Sequence, residues 1–356
     1  MGRARAPRNE MAVNPTAPSP GTPAALEPAE VLGSSAIEGE GGVGPYRLAA
    51  RRLRRNKTAL AFGAMFLVIV LMCLCAPLYA KHVAHTTPSA NHITDTVGGK
   101  DVVDPGGIPT GPTWTGRFFL GADSNGRDVA VRLLYGGRNS LEIGFIATFI
   151  SCFFATIVAL TGGYFRGALD GVLSRTMDLI WAFPVILLGI ALGTALAVGG
   201  LNFGFFTVNG SSLWIPAIII GVVYVPYMAK PLRGQVLSLR EKEFVEAARA
   251  QGAGNFRIMS REILPNIASS IIVFIPLMVA NAILLEAALS FLGAGVQAPN
   301  PSWGTMISDG IRLIPSAMHL TLIPGGMLVL AVLGINVFGD GVRDALDPRA
   351  QVRIEH

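Results

Sequence analysis

The chain has 356 residues, 51% of them hydrophobic and 14% charged, with a net charge of +5 and a mean hydropathy of +0.51. This composition excludes an ordinary soluble domain and a disordered chain, and points to an integral membrane protein. The apolar residues fall in continuous runs of roughly 20, the length of helix that crosses ~30 Å of hydrocarbon, and not in the alternating segments of a β-barrel.

Residues 1–45 are rich in Pro, Gly, Ala and Ser without apolar periodicity and are expected to form a disordered tail. They do not form a signal peptide, because the first apolar core begins near Ala59, too far in and too long. The run Arg51-Arg52-Leu53-Arg54-Arg55-Asn56-Lys57 anchors the first span, so 46–80 reads as basic anchor plus span. Six spanning helices are expected, at about 59–80, 139–162, 176–200, 213–231, 267–292 and 319–340. Residues 81–138 form the longest extramembrane loop, too short for an independent enzyme core. Its end, Val129-Ala130-Val131-Arg132-Leu133-Leu134-Tyr135-Gly136, reads as a short amphipathic helix on the membrane surface. Residues 139–345 hold the other five spans and a charged loop at 232–266, and 346–356 is a C-terminal tail.

Basic residues sort by membrane side: they cluster at Arg51–Lys57, across 230–261 and across 343–353. That asymmetry puts both termini and 232–266 in the cytoplasm and 81–138 outside. Orientation explains Arg51–Lys57 better than nucleic acid does, and no nucleic-acid partner is expected; membrane lipid is.

Within 232–266, Glu243, Phe244, Ala247, Ala248 and Gln251 fit one helix, Gly252 is its natural stop, and Asn255 is a cap for a second. A helix–Gly–helix hairpin under a membrane domain serves either as a plain connector or as a plug for a cytoplasmic partner. The small Ala247 and Ala248 leave room for close approach, and an exposed Phe244 is costly unless a partner covers it.

Ionisable and amide groups inside spans mark functional candidates. Glu286 lies about 30 Å along the fifth span, near the outer interface, where snorkelling or pairing with a loop arginine competes with a functional role. Asn281, deeper, and Asn336 in the last span are candidate path-lining residues. Asp178 is spaced to pair with Arg175 at i, i+3, as an anchor or as part of a gate. Asp340, Arg343, Asp344 and Asp347 form a charged cap on the last helix. Cys73, Cys75 and Cys152 are inert fillers of apolar helices. His82, His85 and His92 lack the carboxylate or cysteine spacing of a metal site, and the Asp123/Asn125 loop carries Arg127 and Leu134 where calcium ligands belong, so no metal is expected. The Gly99-Lys100 pair is followed by Asp101 and has Thr94 where a phosphate loop needs its first glycine, so the chain is not expected to bind ATP itself. It also lacks Gly-x-Ser-x-Gly and His-Glu-x-x-His.

The stretch Glu246-Ala247-Ala248, three residues, Gly252, nine residues, then Leu264-Pro265 resembles the EAA loop of ABC importer permeases, with Glu262 departing from the usual Ile and Ile263 beside it. Further segments look like the C-type permease of dipeptide and oligopeptide importers: Phe119-Leu120-Gly121-Ala122-Asp123 with Gly126-Arg127-Asp128, Arg132–Leu141, Arg175-Thr176-Met177-Asp178 with Ala182-Phe183-Pro184, Glu286–Gly293 with Pro301-Ser302-Trp303-Gly304, and Asn336 through Arg349. The likeness covers about 49–350, outside the tail and 86–113. It implies an all-α protein with the six-helix type I ABC importer permease fold and a cytoplasmic EAA coupling helix, multi-pass in a bacterial cytoplasmic membrane. It implies a non-catalytic subunit with no cofactor of its own, docking through Phe244, Glu246, Ala247, Ala248 and Gly252. Translocation or gating residues are then Asn281, Glu286, Asn336 and Asp178. The implied partners are a homologous second permease in a heterodimer, two ATP-binding subunits that carry the ATP, and an extracellular or periplasmic substrate-binding protein. The implied substrate is a dipeptide or oligopeptide, with nickel or another small solute as the alternative. A membrane enzyme using Asp123, Arg127 and Asp128, and a scaffold recruiting a soluble partner, are the readings from other classes.

Overall fold

The computed structural model of the protein describes residues 45–202 and 207–346. α1 (Pro45–Arg55) ends in Arg52, Arg54 and Arg55, and Asn56 caps α2 (Lys57–Leu74) by accepting from the amide of Ala59 at 3.0 Å. The apolar helix stops at Leu74; α3 (Ala76–Tyr79) and a π turn at Ala80–Ala84 carry the chain on to the outer loop. That loop holds a hairpin of β1 (Thr96–Val97) and β2 (Lys100–Asp101), closed by Gly98 and Gly99 at φ +58° and +78°.

α4 (Val129–Phe165) runs unbroken for 37 residues, about 55 Å, so the segment 129–136 is the first part of one continuous helix and not a separate one. Two local causes produce this. Asp128 caps the helix, its carboxylate accepting from the amide of Val131 at 3.0 Å. The pair Gly136-Gly137 does not break it, because the bare backbone is needed for packing: a Cβ on Gly137 would lie 2.5 Å from both Cys73 Sγ and the Trp303 ring.

The third expected span is also different. α5 (Gly167–Ala182) and α6 (Val185–Gly199) meet at an 87° bend. Phe183 precedes Pro184 and is driven to extended backbone (φ −96°, ψ 139°), and the missing proline N–H ends the ladder there. A ribbon of β3 (Leu201–Asn202) with β4 (Thr207–Val208) leads to α7 (Trp214–Val223) and α8 (Val225–Leu239), one span of 26 residues. After α9 (Glu243–Ala250) and α10 (Asn255–Arg257), a π turn at Ile258–Ile263 runs into α11 (Leu264–Phe291). α12 (Trp303–Gly310), a 3-10 turn, α13 (Ile314–Ala317) and α14 (His319–Leu346) close the described chain. Among the described residues five helical segments are long and apolar enough to cross a membrane, and the bent pair makes a sixth.

Two buried clusters hold the spans. Phe66, Ile69 and Cys73 of α2 pack with Leu133 and Leu141 of α4, Ile283 of α11, Trp303 of α12 and Ile335 of α14. Met228, Leu232 and Val236 of α8 pack with Ala155 and Ala159 of α4, and with Val245, Ile258, Ile263 and Ile267 below. Large apolar side chains such as Leu67, Phe149 and Phe153 face outward, as lipid contact requires.

Candidate functional site

The hairpin α9–α10 is built by local rules. Glu243 and Glu246 sit in the first turn, where carboxylates suit the helix dipole, and Ala247, Ala248 and Ala250 are strong helix formers. The helix closes in a Schellman turn: Gly252 N donates to Arg249 O at 2.9 Å and Ala253 N to Ala248 O at 3.0 Å, with Gly252 at φ +79°. Asn255 is not the cap of the second helix. Gly254 takes that position without a side-chain bond, and Asn255 Oδ1 accepts instead from the hydroxyl of Tyr164 at 2.9 Å. Arg240 and Arg249 lie over the Tyr164 ring at 5.9 and 5.5 Å, and Arg166 pairs with Glu241 at 2.8 Å.

Val245 is fully buried and Ala248 packs half-buried beside it, so of the two alanines only Ala247 lies on the open face. With it are Glu246, Phe244 at 38% exposure and Phe256 at 79%. The π turn explains the misplaced isoleucine. Its i→i+5 bond, Leu264 N to Met259 O, brings Ile258 and Ile263 to one face, where both are fully buried, and leaves Glu262 at the rim. The arrangement is a platform gripped by the membrane domain on one side, with two aromatic side chains on the other.

A second feature is a polar face on an otherwise apolar spanning segment. α8 buries Met228, Leu232 and Val236 and turns Tyr227, Lys230, Gly234 and Ser238 to the open side, with Tyr224 just above. α11 adds Phe274 and Asn281; the Tyr224 hydroxyl donates to Asn281 O at 3.4 Å, and the Tyr227 and Phe274 rings meet edge-on at 6.4 Å. Asp178 pairs with Lys230 of α8 at 2.8 Å and not with Arg175, because the bundle brings α8 against α5; Lys230 also lies 4.9 Å from the Trp181 ring centre. Between α8, α11 and α14 a cleft of about 520 Å³ is lined by Gln235, Ser269, Ser270, Asn336, Asp340 and Arg343 among others. Below the Asp178–Lys230 pair, Arg233 holds Asp170 with two hydrogen bonds of 2.5 Å. Of the expected path residues, Asn336 lines that cleft, Asn281 offers its backbone carbonyl to Tyr224, and Asp178 is held by Lys230. Asp347 of the expected charged cap lies outside the described residues.

Glu286 does not join them. It is fully buried, neither snorkelling nor paired with an arginine: Ser290 Oγ donates to its Oε1 at 2.6 Å, and the hydroxyls of Ser140 and Ser302 flank it. Those two serines accept the amides of Trp303 and Thr305, and the other carboxyl oxygen, Glu286 Oε2, is buried with no hydrogen-bond partner among the described residues. The group thus joins α4, α11 and the start of α12. Asp123, Arg127 and Asp128 are equally committed to structure. Asp123 accepts from Arg127 Nε at 2.7 Å and pairs with Arg132, both arginines reach Asp309 of α12, and Asp128 accepts from the amide of Phe118 at 2.6 Å. His92 is taken by Thr86 and Asp95, and among the described residues no group of three or more His, Cys, Asp or Glu is placed to hold a metal.

Sequence reasoning missed Phe256, Lys230, Tyr224 and Tyr227. The signal was available for the last three, since Tyr-x-x-Tyr-x-x-Lys puts polar groups on one face of an otherwise apolar helix. Phe256 had none, because its exposure depends on how α10 is seated.

Comparison with known proteins adds three findings. The family described as "Binding-protein-dependent transport system inner membrane component" matches residues 151–352, and "N-terminal TM domain of oligopeptide transport permease C" matches 44–93. The chain is similar to the Dipeptide transport system permease protein DppC of Alkalihalophilus pseudofirmus, 40% identical over 86% of this chain and 91% of that protein. It is also similar to the Glutathione transport system permease protein GsiD of Pectobacterium atrosepticum, 32% identical over 86% and 91%. Among solved structures, an inward-facing MetNI methionine ABC transporter chain aligns with a TM-score of 0.49 and 19% identity over 61% of this chain and 96% of that one.

Proposed function

Because the chain belongs to the family of binding-protein-dependent transport inner membrane components and is the permease subunit of an ABC importer, we propose that it forms half of a conduit for dipeptides or oligopeptides. The other half is a homologous but different permease chain. Two ATP-binding subunits grip the pair from the cytoplasm, where both termini lie, and a binding protein delivers the peptide from outside. This chain neither binds nor hydrolyses ATP.

One observation carries the docking role: the α9–α10 hairpin is fastened to α4 and α8 by Val245 and Tyr164 while Phe244 and Phe256 stand open on its other side. Movement of an ATPase seated on those aromatics passes through Val245 into the spans. The relatives' names carry the peptide assignment; one transports dipeptide and another glutathione, itself a small peptide.

The test is reconstitution. With partner permease, ATPases and binding protein in proteoliposomes, a radiolabelled dipeptide should accumulate only with ATP. Phe244→Ser and Phe256→Ser should each weaken co-purification of the ATPases about tenfold at unchanged membrane abundance. Dipeptide uptake without the ATPases, or full ATPase retention by the double variant, would overturn the reading.

A further inference from the structure

Asp178 and Lys230 face each other at 2.8 Å, and their side chains are 53% and 38% exposed. Lys230 lies nine residues above the end of α8, about 14 Å into the helix. An ion pair this exposed on a segment long and apolar enough to cross a membrane cannot face hydrocarbon without a cost of several kcal/mol, so it faces water or protein. Around it stand Trp181, Tyr227 and Phe274, in contact with one another through Tyr227 at 6.3 and 6.4 Å. The other charged pair nearby, Asp170–Arg233, is bidentate and more enclosed, and reads as a fixed brace.

We infer that Asp178, Lys230, Trp181 and Tyr227 form a transit site for the charged termini of a peptide in the conduit. The inference rests on the peptide reading above and names the residues that would meet the substrate inside the membrane. A peptide of any sequence carries one ammonium and one carboxylate. Lys230 takes the carboxylate and Asp178 the ammonium as each passes, and each residue falls back on the other afterwards. Breaking the resident pair offsets much of what each new contact contributes, which keeps the site weak, as a conduit requires. Trp181 and Tyr227 accept apolar side chains by area and cations over their faces, without demanding one residue type.

The test uses the complete reconstituted importer and alanyl-p-benzoylphenylalanine, a photoreactive dipeptide. Under turnover and illumination, labelling should map to α5 and α8 around Trp181 and Tyr227. Lys230→Gln and Asp178→Asn should each lower that labelling and dipeptide uptake about tenfold, while ATP hydrolysis stimulated by the loaded binding protein stays within about twofold of wild type. Lys230→Arg should restore most uptake. Uptake by wild type with labelling only elsewhere would overturn the site and leave the peptide function standing. So would full uptake by the swapped pair Asp178→Lys/Lys230→Asp alongside failed assembly of both single variants, which marks a purely structural bridge. A disulfide between a cysteine at 178 and the partner permease would assign this face to a subunit interface instead. If the wild-type importer takes up no dipeptide at all, the parent reading fails and this one with it.

Discussion

The hydroxyl of Tyr164 donates to Oδ1 of Asn255 at 2.9 Å, joining the C-terminal end of α4 to the start of α10 across 91 residues of chain. With Arg240 and Arg249 over its ring, Tyr164 is the post on which the α9–α10 hairpin is hung. Val245, buried against α8, fastens the same hairpin a second time.

Tyr164→Phe should keep the ring contacts and lose one hydrogen bond, about 1 kcal/mol. The expected result is normal membrane abundance with ATPase stimulation by the loaded binding protein reduced two- to fivefold. Tyr164→Ala, which also removes the seat of both arginines, should reduce it further. Equal stimulation in all three proteins would show that the post carries no force.

Gly252 offers a test of backbone alone. Its φ of +79° is left-handed, yet a Cβ there would meet nothing within 4 Å. Substitution is therefore opposed by conformation and not by crowding, at about 1–2 kcal/mol for alanine and more for a β-branched residue. Coupling should fall in the order Gly, Asn, Ala, Val, with ATPase co-purification falling in parallel and insertion preserved. Gly252→Val with normal transport would reduce this loop to a connector.

At Glu286 the expectation is structural. Glu286→Gln keeps an acceptor for Ser290 and adds no charge, so membrane abundance should stay near wild type. Glu286→Lys buries an unpaired cation among serine hydroxyls at a cost of several kcal/mol, and the protein should be degraded. Immunoblots of membranes decide between these outcomes; an abundant, active Lys variant would contradict the buried geometry.

Topology can be checked on a cysteine-free background. Ser89 and Ser238 are both exposed, the first in the outer loop and the second at the end of α8. A cysteine at 89 should react with a membrane-impermeant maleimide in intact cells, and one at 238 only after lysis. Labelling of 238 in intact cells would invert the assignment.

Most of the architecture was legible in the chain because it depends on local quantities. Apolar run length locates the spans, and Glu246-Ala247-Ala248 with Gly252 writes out a helix and its stop. What failed was whatever depends on packing. The segment 129–136 reads as a short surface helix of its own, yet α4 runs straight on through Gly136-Gly137, whose bare backbone lies against Cys73 and Trp303. Asp178 sits one turn from Arg175, but its partner is Lys230, set by how α5 crosses α8. Glu286 reads as an interfacial charge until Ser140, Ser290 and Ser302 converge on it from three segments. A charge or a glycine is ambiguous in one dimension because its energy is set by its neighbours, and in a bundle those neighbours come from far along the chain.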